Sequence, residues 1–144
     1  MTKLAFAHMG LSARDLRATE AFYTKHFGFR RARVVSLGAD EIIFLKTAAG
    51  DLSFELFKAV GEPPAPPVMG DGPAYPGFRH LAFQVESVDE KLREMGADAR
   101  VTQGPMDFDA FIPGWRTVWV ADPDGRIIEI SQGYKDQDNP PPMQ

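Results

Sequence analysis

The 144-residue chain contains no cysteine, which excludes disulfides, thiolate metal ligands and a cysteine nucleophile. Any metal it holds is therefore bound through nitrogen and oxygen. No apolar run approaches the length of a membrane span, and the first residues lack the apolar core of a signal segment. A cytoplasmic protein without a membrane partner is expected. Blocks of one charge are also missing: 16 Lys and Arg are mixed with 20 Asp and Glu, for a net charge of −4. Nothing in that pattern tracks a phosphate backbone, so nucleic acid is not an expected partner. Histidine is scarce, with three copies. The hydrophobic fraction of 44% is ordinary for a globular chain, and the length fits one domain or two small modules sharing a core.

What is present is an order of elements that occurs twice. Leu4 to Met9 is short and apolar, bounded by Gly10, and reads as a strand. Asp15 to Phe27 reads as a helix, capped by Asp15, ended by Gly28, with Leu16, Tyr23 and Phe27 at helical spacing. Strand-like runs follow at Arg33–Leu37, Glu41–Lys46 and Leu52–Lys58. Residues 61–77 carry Pro63, Pro64, Pro66, Pro67, Pro73 and Pro76, each without a backbone donor, and read as a connection between modules. The order then repeats. Phe78–Glu86 alternates like a strand, Ser87 to Glu90 forms a capping box, and Val88, Leu92 and Met95 make a helical stripe ending at Gly96. Ala99–Thr102, Thr117–Ala121 and Arg126–Ser131 are the next strands, with Asp122-Pro123-Asp124-Gly125 as the hairpin turn between the last two. The expected fold class is α+β. Two βαβββ modules are expected, at 1–60 and 78–134, whose sheets can meet and enclose a cleft, and 135–144 is a loose tail.

His8 and His80 are placed inside the first strand of their halves, and Glu55 and Glu129 inside the last. Glu55 follows His8 by 47 residues and Glu129 follows His80 by 49. Glu129 is the one charge in Ile127-Ile128-Glu129-Ile130, and Glu55 has apolar neighbours on both sides. Successive strand residues face opposite sides of a sheet, so each can point away from the helix-packed face. A buried carboxylate costs several kcal/mol unless it is paired or binds a cation. Any one of these four residues, taken alone, is more simply a satisfied or solvated polar group. Their matched placement in both halves makes a site for one divalent ion the better reading, with Zn, Ni, Co, Mn and Fe as candidates. His26, late in the first helix beside Lys25, is expected to be a surface or helix-end residue favoured by the dipole.

The segments HMGLSARDLRATEAFYTKHFGF, LSFELF, FRHLAFQVESVDE and VWVADPDGRIIEI resemble the vicinal-oxygen-chelate (glyoxalase/bleomycin resistance/dioxygenase) superfamily over most of residues 3–132. Small bacterial glyoxalase I-like members are nearest. The resemblance implies an α+β fold of two βαβββ modules forming a cupped mixed sheet around a metal site, often in a homodimer with ligands contributed by both chains. It implies that His8, Glu55, His80 and Glu129 correspond to the metal ligands of glyoxalase I. Ser12 and Ala59 stand where bacterial glyoxalase I carries Arg and Asn contacts to glutathione, so a different small-molecule substrate is expected.

The activity implied is that of a lyase or isomerase acting on a vicinal-oxygen substrate through an enediolate, with Glu129 or Glu55 as the base. Glu41 is an alternative base. Within 104–115, Phe108, Phe111 and Trp115 are candidate substrate contacts, or pack on their own sheet or on a second subunit; Trp119 is expected in the core. Two other readings stand beside this one: a non-haem Fe(II) ring-cleaving dioxygenase, and a non-catalytic resistance-type protein that captures a small molecule.

Overall fold

The computed structural model describes residues 2–144. It divides into two compact units. The first comprises the chain up to Pro67 together with the Asp122–Gly125 turn, and the second Val68–Ala121 with Arg126–Gln144.

The first unit holds β1 (Met9–Ala13), α1 (Leu16–Phe27), β2 (Phe29–Leu37), β3 (Asp40–Thr47) and β4 (Ser53–Lys58). Asp15 accepts hydrogen bonds from the backbone N–H of Arg17 and Ala18, which satisfies two of the open donors at the start of α1. Gly28 ends the helix at φ 69°, a left-handed conformation suited to glycine. The sheet order is β1-β4-β3-β2, with β1 parallel to β4 and the other pairs antiparallel. Period-2 alternation sorts its two faces. Ile43, Leu45, Phe54 and Leu56 are fully buried on one face, where Tyr23 of α1 meets Phe54 at 5.0 Å between ring centres. The turn 122–125 is tied to the same helix: Tyr23 Oη donates to the buried Asp122 carboxylate at 2.8 Å, and Thr19 Oγ1 to Asp124 at 3.3 Å.

The second unit repeats the order. It holds β5 (Leu81–Gln84), α2 (Val88–Met95) with a 3₁₀ turn at Gly96–Asp98, β6 (Arg100–Asp107), β7 (Arg116–Ala121) and β8 (Ile127–Gln132). Ser87 Oγ accepts from the Glu90 N–H, the first half of the capping box read in the sequence. The sheet runs β5-β8-β7-β6, again with one parallel pair, β5 with β8. Val118, Val120, Ile128 and Ile130 are fully buried on one face together with Val88 of α2. Gln132, on that face, accepts from the Val88 N–H at 2.7 Å and pins the start of the helix.

The α+β fold of two βαβββ modules is thus present, with several boundaries moved. The first strand starts at Met9, not Leu4, so His8 lies just before it; β5 starts at Leu81, so His80 holds the same place. The reason is the partner strand: β4 begins only at Ser53, and Met9 already pairs with Phe54. Residues 2–7 have no ladder to join. β2 begins at Phe29 instead of Arg33, because Gly28 turns the chain from helix directly into strand. β6 continues to Asp107, beyond the expected end at Thr102, through register shifts against β7. His26 does lie in the last turn of α1, at the helix end, but it is buried at 4% exposure, edge-on to Phe22 at 5.2 Å, and not at the surface. Its ring completes the aromatic packing of α1, which outweighed the polarity of its sequence neighbourhood. No helix among the described residues is long and apolar enough to cross a membrane.

Candidate metal centre

The face of each sheet opposite its helix-packed face carries one histidine beside one glutamate. In the first unit Glu55 lies across from Phe44 on β3 and beside Gly10 on β1. His8 Nε2 stands 2.8 Å from Glu55 Oε2, and the His8 ring meets Phe44 edge-on at 6.2 Å. In the second unit Glu129 lies across from Trp119 on β7 and beside Ala82 on β5. His80 Nε2 stands 2.7 Å from Glu129 Oε2, and the His80 ring meets Trp119 edge-on at 6.3 Å. The two pairs are built alike: an imidazole just before the first strand, a carboxylate on the last, and an aromatic ring beside both.

They differ in how firmly they are held. The His80 and Glu129 side chains are 21% and 14% exposed, against 43% and 19% for His8 and Glu55. Asp71 brings its carbonyl oxygen to 2.6 Å from His80 Nδ1. A carbonyl only accepts, so Nδ1 carries the hydrogen and Nε2 is turned toward the carboxylate. Asp71 itself is fixed by Arg79, whose guanidinium donates to both carboxylate oxygens at 3.0 Å. Gly72 lets the loop pass this close; a Cβ there would lie 1.9 Å from the Arg79 carbonyl oxygen. On the other side, the Thr117 hydroxyl lies 3.0 Å from Glu129 Oε1 and 3.1 Å from the Ile130 carbonyl, with one proton to give between them.

This chemistry fits a divalent ion. A histidine whose Nδ1–H is held by a backbone carbonyl presents Nε2 as a ligand, and a carboxylate with one oxygen steered by a hydroxyl presents the other. An imidazole nitrogen next to a carboxylate oxygen suits Mn, Fe, Co, Ni or Zn. The four candidates form two pairs, one in each unit; among the described residues no three such side chains are grouped to hold an ion.

The remaining sequence candidates fall as follows. Glu41 is taken by Arg17 in an ion pair within the first unit. Phe108 and Trp115 pack together at 4.9 Å, and Trp115 Nε1 donates to Ser131 Oγ at 3.1 Å. Ser131 is two residues along β8 from Glu129, so Trp115 reaches the face that carries the pair, whereas Phe111 is 77% exposed. Trp119 is buried as expected, but beside Glu129 and not under the helix. Sequence reasoning missed Thr117 and Asp71. Thr117 was within reach, because counting back from the Asp122–Gly125 turn in antiparallel register sets Thr117 against Ser131 and Trp119 against Glu129. No local signal marks Asp71, whose role comes from a loop folding back on His80.

The chain was compared with known proteins on three counts. The family model described as Glyoxalase/Bleomycin resistance protein/Dioxygenase superfamily matches residues 5–130. No curated protein matches the chain in sequence. Among solved structures, a glyoxalase family protein from Bacillus cereus superposes with a TM-score of 0.70 at 17% identity, covering 92% of this chain and 95% of that one. The fosfomycin resistance protein FosX from Listeria monocytogenes gives 0.65 at 18% identity over 92% and 96% of the two chains. The protein SMU.1112c gives 0.63 at 28% identity over 90% and 99%. With the family model spanning nearly the whole chain, and the fold repeated in these structures, the chain belongs to the glyoxalase/bleomycin resistance protein/dioxygenase superfamily.

Proposed function

We propose that the protein is a divalent-metal-dependent lyase or isomerase of the glyoxalase I type, acting on a small substrate with two neighbouring oxygens. His8, Glu55, His80 and Glu129 are its metal ligands, contributed by one chain or by two copies in a homodimer. The observation that carries this reading is the paired construction: each unit sets an imidazole Nε2 within 2.8 Å of a carboxylate oxygen on the face its helix leaves open. A FosX from Listeria monocytogenes has been crystallised with Mn(II), so the fold accommodates such an ion in that protein.

A bound ion supplies Lewis-acid polarisation of the two substrate oxygens. The chain's own groups do the rest. Asp71 and Arg79 hold the His80 ring in one tautomer. Thr117 steers Glu129, and by shifting its proton between Glu129 and the Ile130 carbonyl it allows the carboxylate to change its hydrogen bonding. Glu129 is therefore the better-supported base for moving a proton next to the substrate carbonyl, and Glu55 the second. Trp115, anchored on Ser131, is the better-placed substrate contact in its loop, ahead of Phe108 and Phe111.

The test is elemental analysis of protein purified without added metal, followed by turnover assays with oxygen excluded. We predict about one transition-metal ion per chain or per shared site, and conversion of a hemithioacetal or a related hydroxycarbonyl compound under nitrogen. Oxygen uptake with a catechol, and no anaerobic turnover, would assign the dioxygenase reading instead. Tight binding of a small molecule with no product would assign capture.

A further inference from the structure

The two tryptophans of the chain are treated differently by the fold. Trp115 gives its indole N–H to Ser131. Trp119 is 6% exposed, and its Nε1 is buried without a hydrogen-bond partner. Buried donors in folded proteins are nearly always satisfied, so an orphan of this kind calls for an explanation.

The acceptors of Glu129 and Ser131 are engaged by other groups. Glu129, directly across the sheet, has one oxygen on Thr117 and the other on His80. The Ser131 hydroxyl is taken by Trp115. Gln103, paired with Trp119 across β6, turns its amide nitrogen to Met106. The equivalent place in the first unit, across from Glu55 and edge-on to His8, holds Phe44, which has no polar atom. Packing beside the pair therefore requires only an aromatic ring, and the indole N–H is an addition peculiar to the second unit.

We infer that the Trp119 indole N–H is a ligand-binding donor: it awaits an anionic oxygen, of the carboxylate class, on the molecule taken at the His80–Glu129 pair. This rests on the metal reading above, and adds to it a negatively charged substrate and the residue that recognises the charge. An unpaired buried donor discriminates for a ligand that supplies the acceptor, because any other ligand leaves it unsatisfied.

The probe is glycolate, a carboxylate with a neighbouring hydroxyl, titrated into the Zn(II)-loaded full chain by calorimetry. Trp119→Phe keeps the ring and removes the N–H. We expect it to bind Zn(II) as the unmodified protein does, and glycolate about tenfold more weakly. A second readout does not depend on that variant. In protein labelled with ¹⁵N-tryptophan, glycolate should move the Trp119 indole N–H resonance downfield, with Trp115→Phe identifying which signal is which. Unchanged glycolate affinity in Trp119→Phe, or an unmoved Trp119 resonance at saturating glycolate, overturns this inference and leaves the metal reading intact. Failure of the unmodified protein to bind Zn(II) overturns both.

Discussion

Glu129→Gln is expected to weaken binding of Mn(II) or Zn(II) by at least about 100-fold, since even the loss of a group supporting a ligand typically costs 10–100-fold. The amide has the shape of the carboxylate and keeps an oxygen for the Thr117 hydroxyl, which lies 3.0 Å from Oε1 in the native chain. What disappears is the negative charge facing His80 Nε2 at 2.7 Å. The stability of the metal-free protein should move by no more than about 1 kcal/mol, because a partly exposed ion pair contributes little. The contrast separates two accounts of the same geometry. If the pair serves only as an imidazolium–carboxylate bridge, the stability change is just as small and there is no metal affinity to lose. Calorimetric titration with the ion, alongside urea unfolding of the metal-free variant, measures both quantities.

The second large effect is on the fold that positions the first pair. Phe54 is fully buried, stacked on Phe29 at 4.6 Å with an interplanar angle of 13°, and edge-on to Tyr23 at 5.0 Å. Phe54→Ala removes a large side chain from the centre of this cluster and is predicted to cost about 3–5 kcal/mol. That is a large share of the roughly 5–15 kcal/mol that holds a typical domain folded. Phe57, three residues on, faces the other side of β4 and is 37% exposed. Phe57→Ala should cost less than about 1 kcal/mol. Urea unfolding of the two variants is the measurement; equal losses would mean that the register of β4, and with it the direction in which Glu55 points, is misassigned.

Much of this arrangement was legible because local rules and the fold agree. Asp15, Gly28 and Ser87 mark helix ends by chemistry that acts within a few residues, and the structure uses each of them as read. Glu129 stood out as the single charge in an isoleucine run, which places it away from the helix-packed side of β8. The misplacements share one cause, dependence on a distant partner. Where the first strand begins is set by β4, some forty residues later, and apolar Leu4 and Phe6 carry no sign that they lie outside the ladder. The burial of His26 is set by Phe22 and the sheet beneath α1. The Asp71 carbonyl, which orients His80, belongs to a proline- and glycine-rich stretch with no periodicity to read. Trp119 needed only the antiparallel register of the β7–β8 hairpin, which the turn at Asp122–Gly125 already implies.

The claim on which the account depends is that the imidazoles of both units bind one cation. Electron spin-echo spectroscopy of the Mn(II)-loaded protein, prepared with ¹⁵N-histidine, counts the imidazole nitrogens bound to the ion. Two histidine nitrogens are predicted, falling to one in His8→Ala and in His80→Ala. A manganese signal without histidine coupling, or coupling that survives both substitutions unchanged, would contradict it.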